Sequence, residues 1–227
     1  MIFRQLFDPA SSTYTYLLAC GRTREGIIVD PVREQADRDL ALIGELGVRP
    51  AWILETHVHA DHVTGARRLK DLTGANTAVS QRCGATGFDR LLDDRDTVVF
   101  GDEVVRAIST PGHTPGSTCF LWRDRLLTGD TLLIGGCGRT DFQRGNALQL
   151  YESITRRLFC LPEDTLVYPG HDYKGRRVST IGEEKSTNPR LAGKSPEQFV
   201  EIMRNLDLPM PARLTEAVPA NLRGGQE

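Results

Sequence analysis

Long apolar runs are missing from this chain of 227 residues. No stretch approaches the roughly 18 residues that a bilayer crossing needs, so a membrane span is not expected. An excess of one charge is missing too: 28 Lys and Arg stand against 30 Asp and Glu, a formal net charge of -2. Without a field of one sign, neither nucleic acid nor anionic lipid is an expected partner. The five cysteines, Cys20, Cys83, Cys119, Cys137 and Cys160, are odd in number and scattered, with no CxxC pair. That excludes a disulfide framework or structural zinc site as the expected reading, and most should be small buried hydrophobes. The opening MIFRQLFDP alternates like a strand and lacks the zones of a secretion signal, so a cytoplasmic protein is expected. Histidine is scarce as well, with five residues. Where those five fall is the informative feature.

What is present is the composition of an ordinary globular protein, 39% hydrophobic and 26% charged. The length suits one domain over residues 1–227, with a short C-terminal helical extension over about residues 193–227. Strand-like runs rich in β-branched and aromatic residues occur at TYTYLLAC (13–20), EGIIVD (25–30), AWILET (51–56), NTAVS (76–80), EVVRAIST (103–110), TCFLWR (118–123) and TLVYPG (165–170). Several carry apolar residues in succession, as strands buried on both faces do. Helical spacing marks residues 33–46, with Ala36, Leu40, Ile43 and Leu46 closed by Gly47. It also marks 62–73, with Val63, Ala66, Leu69 and Leu72 before Gly74. A third helix fits 146–159, capped by Asn146, and a fourth starts at Ser195 with Pro196 first and Gln198 completing a capping box. Strands punctuated by helices imply sheets packed on each other with helices outside, a layered α/β or α+β domain.

Three of the five histidines lie in THVHADHVTG, residues 56–65. In extended backbone His57, His59 and Asp61 would share one face, while His62 would turn away as a helix begins. Imidazole nitrogen and carboxylate oxygen suit zinc, iron or manganese, and one loop rarely closes a coordination shell. The other donors stand out: His113 in STPGHTPGS, Asp130 in LLTGDTLL and His171 in VYPGHDYKG, each after an apolar strand and beside glycine. Asp61 could instead cap the helix at 62–73, and Asp130 could be a turn residue.

The succession THVHADH, TPGHTPG, TGD and PGHD resembles the metallo-β-lactamase superfamily. That resemblance implies an α+β fold, an αββα sandwich with metal at the edge where two sheets meet. Its two-metal pattern falls on His57, His59 and His113 at one position and Asp61, His62 and His171 at the other, with Asp130 between them. The further segments GCGRTDFQRG (136–145), HDYKG (171–175), STIGEEKSTNPRL (179–191) and AVPANLRGG (217–225) are similar to the persulfide dioxygenases. In that branch one Fe(2+) per chain is held by His57, His113 and Asp130. His59, Asp61, His62 and His171 then orient ligands and bound water. The branch oxidises glutathione persulfide with O2 and water to sulfite and glutathione. The resemblance further implies carboxylate anchors at Arg139, Tyr173, Lys174 and Arg190, since glutathione carries two carboxylates and arginine grips one with paired hydrogen bonds. Cys137, between two glycines, is read as packing rather than as a sulfur relay.

Two rivals remain. A glyoxalase II type hydrolase would use the same ligands with two metals on a glutathione thioester, although that branch has a longer helical C-terminus. A metal-holding or electron-transfer module without catalysis would need a fused partner domain. A rhodanese-type sulfurtransferase acting in trans and a homodimer are compatible with the resemblance.

Overall fold

The computed structural model describes residues 1–226. Twelve strands form two mixed sheets of six. The first runs β1 (Ile2–Asp8), β2 (Thr13–Ala19), β3 (Glu25–Val29), β4 (Arg49–Leu54), β5 (Asn76–Ser80), β6 (Arg90–Leu92), in chain order. The second runs β7 (Thr97–Phe100), β8 (Glu103–Ser109), β9 (Thr118–Trp122), β10 (Arg125–Gly129), β11 (Leu166–Pro169), β12 (Ser179–Thr180). Parallel pairing joins β3 to β6 in the first sheet and β10 to β11 in the second. Of these, β4, β10 and β11 lead at their C-terminal ends into the histidine loop, Asp130 and His171, while His113 follows the antiparallel β8.

Both faces of the central strands are covered, which is why they read as unbroken apolar runs. Tyr16, Leu18, Ile27, Val29 and Leu54 point between the sheets and meet Phe100, Phe120, Trp122 and Leu127. Their neighbours Leu17, Ile28 and Ile53 point outward to Ala36 and Ile43 of α1 (Ala36–Leu46) and Leu69 of α2 (Ala66–Thr73). On the far side Cys119, Leu126 and Val167 pack against Leu150 of α3 (Ala147–Ser153) and Phe199 of α5 (Pro196–Arg204). The result is the αββα layering expected. Between α3 and α5 lies α4 (Ile181–Thr187), and α6 (Leu214–Asn221), with Pro219 inside it, comes last.

Helix boundaries depart from periodicity where loops compete for the backbone. The helix expected over 62–73 begins only at Ala66, because Val63 and Gly65 are tied instead to the segment after β3: Arg33 N–H donates to Val63 O (2.9 Å) and Gly65 N–H to Pro31 O (2.8 Å). Asp61 therefore caps nothing. Residues 33–35 form a 3₁₀ turn before α1, and α3 continues as a π turn through Ile154–Leu158. Asn146 and the Ser195/Gln198 capping box do act as expected, with Asn146 Oδ1 accepting Gln149 N–H at 2.9 Å. Among the described residues no helix is long and apolar enough to cross a membrane.

The two sheets are joined through Tyr16, buried in β2, whose hydroxyl donates to Pro169 O at the end of β11 (2.6 Å). A buried carbonyl stripped of its donor carries a penalty of about 1–3 kcal/mol. Tyr16→Phe should therefore lower unfolding stability by about 1–3 kcal/mol in urea; a variant matching the wild type would show that the carbonyl is satisfied otherwise.

Candidate metal centre and substrate cavity

After Leu54 the chain runs through residues 55–65 as a turning loop, neither strand nor helix. His57, His59 and Asp61 gather as expected although the backbone is not extended: the rings of His57 and His59 lie 4.1 Å apart, and His59 Nδ1 is 3.9 Å from Asp61 Oδ1. His57, His113 and Asp130 each bring one ligand atom within 4.8 Å of the others. The rings of His57 and His113 stand edge to face, 4.9 Å between centroids. His113 Nε2 lies 3.6 Å from Asp130 Oδ2. These three side chains come from the ends of β4, β8 and β10.

Hydrogen bonds set the tautomers of the two imidazoles. Asp30, just past β3 in a left-handed conformation (φ 51°), accepts from Thr56 N–H at 2.7 Å and from the Thr56 hydroxyl at 2.8 Å. A hydroxyl has one proton to give. Having given it to Asp30, Thr56 Oγ1 accepts from His57 Nδ1, 3.0 Å away. His113 Nδ1 lies 2.7 Å from the Arg139 carbonyl, which only accepts. Both rings thus carry the proton on Nδ1 and turn an Nε2 lone pair to the centre. Burial, followed by the neighbouring His59 and His113, holds His57 well below its usual pKa and so neutral. Asp130 Oδ1 is buried with no hydrogen-bond partner. Two imidazoles with Nδ1 engaged and a carboxylate whose Oδ1 makes no hydrogen bond are a donor set that fits a divalent transition metal.

His59 lies between His57 and His62, with ring centroids 4.1 and 4.4 Å away. Its Nε2 lies 3.1 Å from Asp30 Oδ1 and 3.5 Å from Glu55 Oε2, close enough for ion pairing although too bent for a straight hydrogen bond. Burial lowers its pKa, but Asp30, Asp61 and Glu55 together outweigh burial and raise it to about 10. Burial and then Asp30 push Glu55 up to about 8. Asp61, His62 and His171 gather on the third side. His62 Nδ1 meets Asp61 Oδ2 at 2.9 Å, so His62 does not turn away as expected. His171 Nε2 stands 3.5 Å from Asp130 Oδ1 and 3.8 Å from Asp61 Oδ2. Burial works against Asp61 ionising, yet His62 and His171 hold its carboxyl well below the usual range.

Glycine lets the backbone come this close. Gly129 has φ 49°, and a Cβ there would sit 2.5 Å from Thr56 Oγ1. One on Gly138 would fall 2.8 Å from His113 Nδ1. Above the donors opens a cavity of about 540 Å³ whose floor is His57, His113 and Asp130. Arg139, Phe142, Tyr173, Lys174, Arg176, Arg190 and the segment 208–211 line it.

All four expected anchors therefore reach the cavity, but they arrive in different states. Arg139, expected to offer a free fork, already grips Asp141 (2.7 and 2.6 Å) and donates to Pro209 O at 2.6 Å. It stacks 4.9 Å over Phe142 and fastens the wall at 208–211. Arg190 donates to Cys137 O at 2.7 Å. Tyr173, 75% exposed, stacks on His171 at the mouth, while the Lys174 main chain is held by buried Asp172. Arg176 also faces the cavity, tied to Asp172 at 3.0 and 3.1 Å, and was not among the expected anchors. Cys137 is buried, and burial pushes its thiol up to about 11 despite nearby Arg190, so it is an inert packing group.

Three further residues escape sequence reasoning. Asp30 and Glu55 stand alone at strand ends, with no spacing to distinguish them from turn aspartates or surface acids. Asn221 of α6 lies inside the quoted AVPANLRGG segment but carries no chemistry of its own. Its buried amide donates to His59 O and His62 O and accepts from Thr64 N–H, all at 2.9 Å. From the opposite side Gln143 Nε2 donates to Val58 O at 2.8 Å.

A sandwich with histidines and aspartates gathered at one edge of its two sheets defines a class. Residues 8–171 match the model of the metallo-beta-lactamase superfamily, and the chain belongs to that superfamily. The human mitochondrial persulfide dioxygenase ETHE1 is 48% identical over 227 residues, covering 99% of this chain and 89% of the human protein. The crystal structure of ETHE1 from Myxococcus xanthus is 53% identical, with a TM-score of 0.98 and full coverage of both chains. TTHA1623, solved in a di-iron-bound form, is 27% identical with a TM-score of 0.69, covering 84% of this chain and all of that one. Within the superfamily the chain stands with the persulfide dioxygenases, and it is an enzyme that binds metal.

Thr56→Val keeps the side chain's shape but cannot accept from His57. Loss of such an orienting partner typically weakens metal binding about 10–100-fold. Chelator competition should show that loss, and an unchanged dissociation constant would remove Thr56 from this role.

Proposed function

We propose that the chain oxidises glutathione persulfide with O2 and water to sulfite and glutathione, with one Fe(2+) held by His57, His113 and Asp130. The observation that carries this reading is the donor set itself: two imidazoles with Nδ1 engaged and a carboxylate oxygen without a hydrogen bond, on the floor of a cavity with cationic walls. When bound, iron(II) with these three donors offers adjacent open positions for a sulfur anion and dioxygen. One carboxylate against a divalent ion leaves positive charge at the floor, which favours a persulfide anion over a neutral thioester.

The residues around the cavity bind and orient. Lys174, Arg190 and Tyr173 supply donors for the carboxylates and amides of glutathione, and Arg176 adds a further cation. Arg139 acts on the same ligand through the wall it fastens, and its main-chain carbonyl keeps His113 in register. Asp61, His62 and His171 form a polar flank beside Asp130 that can hold a water molecule. Glutathione persulfide arises by transfer of sulfane sulfur to glutathione, so a rhodanese-type sulfurtransferase acting in trans is the proposed supplier.

Purified protein should contain about one iron per chain and consume O2 with glutathione persulfide in the absence of any partner protein. It should not hydrolyse S-lactoylglutathione. Two equivalents of zinc together with thioester cleavage would move the assignment to a glyoxalase II type hydrolase. Asp130→Ala should abolish metal retention. Arg139→Ala should retain metal and raise KM for the persulfide about tenfold or more, as the loss of one charge-assisted contact network implies; an unaltered KM would sever Arg139 from substrate binding.

A further inference from the structure

The loop from His57 to Thr64 lies in no regular structure, yet it is buried and carries the central imidazoles, so its main-chain groups need partners from elsewhere. Gln143 satisfies Val58 O, and Arg33 N–H satisfies Val63 O. One side chain satisfies three of the others. Asn221, 3% exposed, donates both amide protons, to His59 O and His62 O, and accepts Thr64 N–H through Oδ1. Only an amide with two donors and an acceptor in one plane can do all three at this length.

The helix that carries Asn221 is held against the same loop by apolar contact. Ala217 and Ala220 pack on Val63 in a small cluster of their own. Gly225 N–H returns to Ala220 O, and Thr86 N–H donates to Leu222 O, so the end of α6 is anchored in the fold. The end of the chain's helical segment thus braces the histidine loop.

We propose that Asn221 is a positioning residue of the metal centre: its amide fixes the turn between His59 and Thr64 and thereby the angle at which His57, His59, Asp61 and His62 are presented. It touches neither metal nor substrate and acts through main-chain carbonyls alone. The proposal rests on the placement of metal at His57, His113 and Asp130, which the Asp130→Ala variant tests separately.

Three variants, each compared with the wild type, decide it. Asn221→Ala removes all three hydrogen bonds. Asn221→Asp keeps the volume and the acceptor but replaces the donors with oxygen facing two carbonyls. Ala217→Gly loosens the same helix while leaving the amide in place. Metal affinity is read by chelator competition with Fe(II) and with Co(II), and ligand geometry by the visible d–d bands of the Co(II) protein. Both Asn221 variants should bind metal at least tenfold more weakly and shift the Co(II) bands, whereas Ala217→Gly should lower the melting temperature with affinity and bands unchanged. KM for the persulfide, measured with metal in excess, should move less than metal affinity does. Wild-type affinity and bands in Asn221→Asp, or an equal loss in Ala217→Gly, would overturn the proposal. If Asn221→Ala fails to fold, Asn221→Asp against Ala217→Gly still decides.

Discussion

The site depends on a single carboxylate that touches no cavity. Asp30 takes both the amide and the hydroxyl proton of Thr56, and that commitment leaves Thr56 able only to accept from His57. The same Asp30 lies 3.1 Å from His59 Nε2 and so holds that ring as well. One buried acid therefore decides which nitrogen of His57 carries the proton and steadies His59 beside it. Burying a carboxylate is expensive unless its partners are charged or well placed, and Asp30 has both kinds.

Around that anchor the fold converges from several directions. Parallel strands β3 and β4 bring Asp30 and the histidine loop side by side, while β10 and β11 set Asp130 next to His171. Close approach between these ends is possible because Gly129 and Gly138 present bare backbone to Thr56 and His113. The aromatic and β-branched core between the sheets supplies the rigid floor from which the loops project. Chemistry at the rim thus inherits its precision from packing beneath.

Much of this was legible in the residues. Doubly apolar strands and amphipathic helices imply packed sheets with helices outside, the αββα order came with the superfamily resemblance, and every histidine announces itself by scarcity and by following a strand. What escaped had physical reasons. The short strands β6, β7, β10 and β12 run two to five residues and include charged or polar positions, too little for a period to show. The start of α2 was displaced by tertiary hydrogen bonds that no local pattern encodes. Arg139 has the chemistry of an anchor, but only the folded chain shows Asp141 and the 208–209 carbonyls already holding it. Asp30, Glu55 and Asn221 matter through partners distant along the chain, and pattern reading is blind to those.

The contact between Asn221 and Thr64 spans 157 residues. During biosynthesis the histidine loop leaves the ribosome long before its brace exists, and closure over such a separation is among the slower events available to a chain. A nascent polypeptide therefore carries an unfinished cradle until α6 docks. Metal encountered before that moment meets a looser nest than the folded chain offers.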